Sequence, residues 1–532
     1  MDLTSFAGPF LPELVLLAGA LLIFLLDVLK LRRTEVVGGI AVAASALAFL
    51  FVLADLQFAP LAGLAGLPAS QIDQLPAVGA APLYSITSFG LVFQAIFLLA
   101  AFLVALASLS RPSDERGAPI FFGLLLLATL GMLLVAVASD LIFLLLAIEV
   151  VSIPSYLLAG YTRRDRRGME AAMKFFVIGA LSSVLSFFGA SLLFGAYGTT
   201  NLDLIRAAGL ATSDPTLVLL GYAFLIAGLG FKITLVPFHA WAVDVYDGAP
   251  HDVSAFLAGG TKKIGIFAFF LVFLGPVLVV EGAGSSGYGL FGGSVALGPS
   301  VQLALAILAV LTMTVGNVLA LLQKEMKRML AYSSISQAGY MMIGIVIGTA
   351  PALGGATLQV FAHVLMKTGA FLVVGAVAAL GVGPLISDWR GLGTRRPLLG
   401  VAFGLMLLSL AGVPLTIGFV SKFVLFSAAV DAQGWFVWLA VAGLLNSALS
   451  VFYYARVLKV MFFDAPPAPD PALAGAVVGG AGPPALPIGG LGYGRAATIA
   501  LIAALIVVFG IYPQAVLGPI QSAAYHFVSV GA

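Results

Sequence analysis

The sequence predicts an all-α, polytopic membrane protein with about fourteen transmembrane helices. Hydrophobic residues make up 61% of its 532 positions and charged residues only 9%. A soluble chain of this length would need far more charge to cover its surface. The formal net charge of +2 gives no sign of a nucleic-acid partner. Because the sequence has no Cys, disulfides, thiolate zinc sites and Cys-bound iron–sulfur clusters are excluded.

Apolar stretches of about 20 residues, enough to cross a bilayer core as a helix, recur along the chain. We number them span 1 to span 14. They begin near Leu11, Val36, Leu83, Ile120, Leu141, Ala171, Thr216, Val253, Val301, Met329, Ala356, Pro397, Gly434 and Ala497. Span 1 contains Glu13 and has neither a basic region before it nor a cleavage motif, so we expect a first span and not a signal peptide.

Two of the spans combine a lysine with a helix-breaking proline. Span 7 carries Lys232 and Pro237, and span 12 carries Pro414 and Lys422. Broken helices at membrane depth are tolerated where they line a cavity or meet protein, as in transporters built from inverted repeats. Because these two spans lie five apart, we expect two inverted five-helix repeats. The predicted divisions are three N-terminal spans in 1–115, the repeats in 116–281 and 300–463, a flexible Pro/Ala/Gly-rich loop in 464–494 and a C-terminal span in 495–532.

Basic residues are concentrated in every second predicted loop, and this pattern gives the orientation of the chain. Loops after odd-numbered spans hold 18 of the 25 Lys and Arg, whereas loops after even-numbered spans hold only Arg206. Under the positive-inside rule the odd-numbered loops are cytoplasmic, and both termini face the non-cytoplasmic side.

The remaining basic residues are six lysines, with no arginine among them. They fall within or at the ends of spans: Lys174, Lys232, Lys262, Lys263, Lys367 and Lys422. A buried lysine can release its proton, whereas arginine stays protonated in proteins, so this selection favours a proton relay. The alternative is a lysine that snorkels toward the membrane surface. That alternative weighs most for Lys174 and Lys263.

Four further features of the sequence bear on function. Glu149 lies inside span 5 without a charged neighbour in sequence, so it is either neutral or paired with a cation on another helix, and a purely structural ion pair is the alternative. The glycine pair 259–260 permits close approach of another helix. The adjacent Lys262 and Lys263 point about 100° apart, so at most one faces a given channel. The stretch 244–250 is expected to form a polar turn.

The four histidines show no metal-binding or haem-binding spacing. Two features of spans 10 and 11 are nevertheless distinctive. His363 and Lys367 stand four residues apart, and therefore share a helical face. Gln337 lies in the polar run SSISQAGY of span 10.

These motifs resemble the antiporter-like membrane subunits of respiratory complex I, the NADH-quinone oxidoreductase of bacteria, and most closely its N subunits. The resembling segments span nearly the whole chain: LPEL at 11–14, EVVSIP at 149–154, KITLVPFHAW at 232–241, DVYDGAP at 244–250, KRMLAYSSI at 327–335, SLAGVP at 409–414 and GFVSKF at 418–423.

The resemblance implies a proton-translocating subunit with named relay positions. Glu149 matches the family's carboxylate of the fifth helix and Lys232 its lysine partner on the broken helix. Lys262 matches the central lysine of the eighth helix, with the adjacent Lys263 as the alternative match, and Lys422 matches the exit-side lysine of the twelfth. His363 and Lys367 instead resemble the longer antiporter-like subunit and the multi-subunit cation/proton antiporters, and Gln337 replaces a histidine common in the family.

The resemblance also implies where the redox chemistry takes place. The chain has no nucleotide-binding glycine pattern and no redox ligands, so NADH, FMN, iron–sulfur clusters and quinone would belong to partner subunits. The expected partners are other membrane subunits, including homologous antiporter-like ones, in a bacterial inner membrane. A subunit of a cation/proton antiporter is the alternative function. A structural scaffold is a third, but it would leave costly buried lysines without a purpose.

Overall fold

Long apolar helices account for most of the structure. The computed structural model describes residues 10–57, 72, 82–110, 117–161, 165–208, 214–277, 297–466 and 492–530. Within these ranges the regular structure is helical, apart from three isolated β-bridges. Thirteen helices are long and apolar enough to cross a membrane: Leu11–Val28, Thr34–Asp55, Ser88–Ser108, Ala118–Ala136, Leu141–Ala159, Arg166–Tyr197, Pro215–Ile233, His251–Leu274, Val301–Leu322, Met326–Ile347, Ala350–Ala379, Gly434–Phe462 and Tyr493–Ile511.

These helices are spans 1 to 11, 13 and 14, and span 12 consists of two shorter helices, Pro397–Ala411 and Ile417–Asp431. The predicted all-helical, polytopic fold is therefore confirmed. Spans 8, 10 and 11 are almost entirely buried and form the centre of the protein, whereas only 28–33% of the residues in spans 1, 6 and 14 are buried.

Several spans begin at a side chain that caps the helix. Asp140 accepts hydrogen bonds from the amides of Ile142 and Phe143 at 2.8 and 3.1 Å at the start of span 5. Asp214 does the same for span 7, where Pro215 occupies the first helical position and needs no hydrogen-bond partner. Such caps fix the residue at which a helix starts. The hydropathy pattern alone places that boundary only approximately.

Span 7 is interrupted at the place that Pro237 predicts. Its long helix ends at Ile233, Thr234 adopts a positive φ of 63°, and the chain resumes as the short helix Ala240–Gly248. Backbone groups released by the break find partners elsewhere: Thr312 of span 9 accepts from the amide of Val236 at 3.1 Å. The interruption is thus a hydrogen-bonded structure surrounded by protein, as broken helices require.

Span 12 is interrupted in the same position of its predicted repeat, the fourth of five helices. Gly412 ends the first helix with φ of +90°, and Leu415 has φ of 69°. The amide of Gly418, in the first turn of the second helix, donates to the Ser409 hydroxyl at 3.1 Å. Both predicted breaks are present, while the boundaries of the two repeats remain a prediction.

Span 8 contains a third irregularity, which its sequence did not predict. A π-helical turn occupies Leu257–Thr261, and the α-helix resumes at Lys262. The predicted close approach is present here: a methyl group at Gly259 would overlap the hydroxyl of Thr368 in span 11. Span 8 therefore packs backbone-close against span 11 at the turn that precedes its two lysines.

Two expectations need correction. The stretch 244–250 is not a polar turn, because most of it belongs to the helix Ala240–Gly248. Trp241 anchors this helix by packing against Phe175 and Phe231, each at 4.6 Å between ring centroids. The C-terminal segment is not one span either: span 14 ends at Ile511 and a further helix, Gln514–Val530, follows. Most of the predicted loop 464–494 lies outside the described residues.

Candidate functional site

The predicted pair Glu149 and Lys232 lies between spans 5, 6 and 7. Lys232 occupies the last turn before the break, and its Nζ donates to the Ser152 hydroxyl at 2.7 Å. Glu149 stands one turn before Ser152 on span 5, and its carboxylate accepts from the Ser183 hydroxyl of span 6 at 2.5 Å. The two charged groups form no ion pair within 4.0 Å in this structure, so the expected direct contact is absent and Lys232 donates to Ser152 instead.

Lys262 and Lys263 are both buried at the start of the α-helical part of span 8, and they face different neighbours. Lys262 donates to the carbonyl of Ser334 in span 10 at 2.8 Å. Lys263 lies 2.6 Å from Nδ1 of His363 in span 11. The expected divergence of adjacent lysines is therefore present, but the interpretation of Lys263 as a snorkelling side chain is wrong, because it is 0% exposed.

His363 and Lys367 extend this group along span 11. Both side chains are 0% exposed. Lys367 donates to the carbonyl of Leu330 at 2.8 Å and also to the Ser333 hydroxyl. Two adjacent serines of span 10 therefore bind lysines of two different spans. Ser333 accepts from Lys367 of span 11, and Ser334 accepts from Lys262 of span 8.

Lys422 binds the end of a helix. Its Nζ donates to the carbonyls of Leu410 and Ala411 at 2.8 and 3.1 Å and to the Ser447 hydroxyl of span 13 at 2.9 Å. Those carbonyls belong to the last turn before the break in span 12, which leaves them without helical partners. A cation is favoured there because the C-terminal end of a helix carries partial negative charge. The nitrogen also lies 5.0 Å from the centroid of the Tyr340 ring.

Two buried glutamines, one on span 10 and one on span 11, form a chain of hydrogen bonds that reaches a carbonyl bound by Lys422. The Ser421 hydroxyl donates to Gln359 at 2.5 Å, and the Gln359 amide donates to Gln337 at 2.7 Å. Gln337 in turn donates to the carbonyl of Leu410 at 3.4 Å, the same carbonyl that accepts from Lys422. This polar connection was not predicted, because an isolated Gln in an apolar helix does not show which helix it will face.

The lysines of the interior share one electrostatic property. None of Lys262, Lys263, Lys367 and Lys422 forms an ion pair within 4.0 Å with a carboxylate of the described residues. Their partners are hydroxyls, carbonyls and one imidazole. A buried charge without a counter-ion costs several kcal/mol, so such a row favours groups that bind and release protons over permanent charges. The described residues contain no group of three or more metal-binding side chains.

One charged cluster lies outside this row. Asp244, on the short helix after the break, accepts from Lys174 of span 6 at 2.8 Å and from Arg328 of span 10 at 3.1 Å. Partial burial by itself would raise the pKa of Asp244, but these two hydrogen bonds outweigh it and hold the pKa below its usual value. Lys174 is therefore a surface ion-pair residue, and the cluster ties the broken span 7 to spans 6 and 10.

Comparison with known proteins identifies the family of the chain. A family model described as NADH:quinone oxidoreductase/Mrp antiporter, TM, matches residues 138–450. The chain is 42% identical over 392 residues to F(420)H(2) dehydrogenase subunit N of Methanosarcina mazei, covering 72% of this chain and 76% of that protein. It is 37% identical over 495 residues to NADH-quinone oxidoreductase subunit N 2 of Sorangium cellulosum, covering 90% and 93%.

Solved structures give the same result for the fold. A chain of respiratory complex I from Thermus thermophilus with bound aureothin superimposes with a TM-score of 0.71 at 30% identity, covering 95% of this chain and 98% of that one. A chain of the Mrp complex from Dietzia sp. gives a TM-score of 0.79 with full coverage of both chains, and at 22% identity this likeness concerns the fold alone. The protein belongs to the NADH:quinone oxidoreductase/Mrp antiporter family of transmembrane proteins.

Proposed function

We propose that this chain is the proton-translocating N subunit of a respiratory NADH:quinone oxidoreductase. The observation that carries the proposal is the row of buried lysines from span 8 to span 12, which have no carboxylate partner among the described residues. The chain aligns over 90% of its length with a subunit N. Electron transfer takes place in partner subunits, and its energy moves protons through this chain.

The relay begins in this proposal at Glu149 and Lys232. A charged Glu149 on span 5 stabilises a proton on Lys232, whose Nζ donates to Ser152 one turn further along the same span. When a conformational change in the neighbouring subunit increases the distance between the two charged groups, the stabilisation falls and the proton passes toward span 8. Because Ser152 already accepts from Lys232, a small rotation of the lysine is enough to change its distance from the carboxylate.

The relay ends at Lys422. Two carbonyls and one hydroxyl hold its ammonium group beside the Tyr340 ring, so the site binds a proton with no carboxylate of the described residues within 4.0 Å. Such a site releases its proton when one acceptor moves away, because a buried ammonium that loses a hydrogen bond is strongly destabilised. The break in span 12 provides the two carbonyls and is therefore part of the site.

The proposal assigns cofactors and location as follows. NADH, FMN, iron–sulfur clusters and quinone are held by partner subunits, and the neighbours in the membrane include homologous antiporter-like subunits. The complex lies in the bacterial inner membrane, with the loops after odd-numbered spans in the cytoplasm. The direct electron donor is a property of the partners, since one relative of this chain is named for F(420)H(2) and another for NADH.

A subunit of a cation/proton antiporter is the second candidate. It is favoured by His363 and Lys367 in span 11 and by the fold shared with a chain of the Mrp complex. This candidate predicts proton movement that is driven by a Na⁺ or K⁺ gradient and needs no electron transfer.

The test measures protons pumped per electron by the purified complex in sealed vesicles. Glu149→Gln, Lys232→Met and Lys422→Arg are each expected to lower that ratio while the complex still assembles. Lys422→Arg is the most informative, because an always-charged side chain cannot pass a proton on, and a positioned group contributes about 10²–10⁴-fold to a proton-transfer step.

The matched control is Lys459→Met, which removes an exposed lysine of span 13 outside the row. It should pump like the unchanged complex. A normal proton-to-electron ratio in all three relay variants would rule out the proposed roles. Proton movement that follows an imposed Na⁺ or K⁺ gradient without NADH would favour the antiporter instead.

A further inference from the structure

Glu13 of span 1 is a buried carboxyl group that the proposed relay does not use. Its side chain is 5% exposed and lies in the first turn of the helix Leu11–Val28. The residue precedes the part of the chain, 138–450, that matches the family model. It is therefore separate in sequence from the relay, which begins at Glu149.

Gln94 binds one oxygen of the Glu13 carboxyl group and leaves the other oxygen free. The Gln94 amide of span 3 donates to Oε1 of Glu13 at 2.7 Å and to the carbonyl of Leu133 in span 4 at 3.4 Å. Because that carbonyl can only accept, the nitrogen of the amide faces Glu13. Oε2 of Glu13 is buried and has no hydrogen-bond partner in the part of the chain that the structure describes.

No basic side chain of the surrounding helices can neutralise a charged Glu13. The helices of spans 1 to 4 contain no Lys, Arg or His. Asp55, which is buried at the end of span 2, instead acts on Glu13 as a second negative charge. A buried charge needs a counter-ion or several hydrogen bonds, so a carboxylate is destabilised at this position.

The place of Glu13 in the first helical turn opposes this effect only in part. Free amides at the start of a helix favour a negative charge, but Pro12 removes one of those amides. The remaining stabilisation is small beside the cost of burying a carboxylate next to a like charge. A proton on Oε2 leaves a neutral hydroxyl, which costs far less to bury.

The groups around Glu13 lie at one membrane end of the N-terminal spans. Glu13 is near the start of span 1, Asp55 ends span 2, Gln94 is in the second turn of span 3, and Leu133 is in the last turn of span 4. Consecutive spans cross the membrane in opposite directions, so these positions share one end. Water at that end is therefore the nearest source of a proton.

We propose that Glu13 is a proton-binding site separate from the relay, and that Gln94 positions its carboxyl group. On binding, an O–H bond forms at Oε2 and the carboxylate becomes neutral. The proton comes from water at the same membrane end and returns there on release. A metal ion would need more oxygen ligands than two carboxylates supply, and the described residues contain no group of three or more metal-binding side chains.

The experiment records infrared spectra of the complete complex in membranes, because the C=O stretch of a carboxylic acid is distinct from the bands of a carboxylate. Glu13→Gln is expected to remove one carboxylic-acid band at neutral pH, seen as a difference from the unchanged complex. That band should shift in D₂O, since the proton exchanges with water, and should weaken in alkaline buffer.

The matched control is Glu35→Gln, which makes the same chemical change at an exposed position of span 2, where water stabilises the carboxylate. It should remove no carboxylic-acid band at neutral pH. A second variant, Gln94→Leu, leaves Glu13 in place and removes the hydrogen bond to Oε1. Because Oε1 is the C=O oxygen of the protonated group, the band should move to higher wavenumber and remain visible.

Three outcomes would overturn the inference. If Glu13→Gln and the unchanged complex have the same carboxylic-acid bands, Glu13 is ionised and holds no proton. If Na⁺ at constant ionic strength abolishes the band, the site binds a cation. If the band keeps its position in Gln94→Leu, Gln94 does not position the carboxyl group. The spectra do not depend on pumping, so these outcomes are independent of the proposed function.

Discussion

Ser152 decides how Lys232 meets Glu149. Its hydroxyl accepts from Lys232 at 2.7 Å and donates to the carbonyl of Ile148 at 2.6 Å, so it is fixed in one orientation. Replacing it by alanine leaves a half-buried ammonium short of one acceptor, which costs about 1.5–3 kcal/mol for a hydrogen bond to a charged group. We expect Ser152→Ala to move Lys232 toward Glu149 and to lower the proton-to-electron ratio of the vesicles.

The control for this prediction lies one turn further along the same helix. Ser155 is also buried and donates to the carbonyl of Val151 at 2.7 Å, but it contacts no lysine. Ser155→Ala should therefore change stability slightly and pumping not at all. Equal pumping by both alanine variants would show that Ser152 does not position Lys232.

At the same scale, sequence reasoning placed two lysines beside helix breaks correctly but did not predict that Lys263 is fully buried. Lys232 and Lys422 are recognisable because each lies beside a proline inside an apolar run. Lys263 is next to Lys262, and nothing in the local sequence separates them. What separates them is the direction each side chain takes after the π-helical turn, and a single sequence does not show that turn. Ser152 was missed for a similar reason, because a serine that bonds back to its own helix is common.

Among the helices, the π-helical turn of span 8 controls the approach of span 11. Gly259 lies in that turn, where a methyl group would overlap the Thr368 hydroxyl. Gly259→Ala is expected to push the two helices apart at a cost of about 1–3 kcal/mol, typical of overpacking. Because Lys263 and His363 meet across the same interface, we expect lower thermal stability and slower pumping together.

Gly39→Ala provides the comparison, since a methyl group there meets nothing within 4 Å. It should leave the melting temperature and the proton-to-electron ratio unchanged or slightly raise the former, because alanine favours the helix. If Gly259→Ala melts at the same temperature as the unchanged complex, spans 8 and 11 do not need this close contact.

The helices also show why breaks are easier to predict than short helices. Pro237 and Pro414 remove backbone donors, and that effect is local enough to be read from sequence. The helix Ala240–Gly248 is rich in turn-forming residues, yet it is helical because Asp244 is held by Lys174 and Arg328 from two other spans. Contacts between distant segments decided its structure.

For the whole molecule, the apolar stretches gave the number of spans, and the alternation of Lys and Arg between loops supported it, because loops on the cytoplasmic side collect positive charge. The Lys and Arg count could not reveal the last helix, Gln514–Val530, which contains neither residue. This helix is attached by Phe527, whose ring stacks on Phe89 at 4.7 Å and lies 5.4 Å from the Arg206 guanidinium. It therefore lies on the same side of the protein as the start of span 3 and the loop after span 6.

That placement makes the topology testable with single cysteines, since the chain has none of its own. Ala207, Lys324 and His526 are exposed in this structure and are suitable positions. Three spans separate Ala207 from Lys324, so cysteines at these positions must lie on opposite sides of the membrane. A membrane-impermeant maleimide should label Ala207→Cys and His526→Cys from outside the inner membrane, and Lys324→Cys only in inverted vesicles.

Labelling of Ala207→Cys and Lys324→Cys from the same side would contradict the span count. Labelling of His526→Cys from the side opposite to Ala207→Cys would contradict the attachment of the last helix through Phe527.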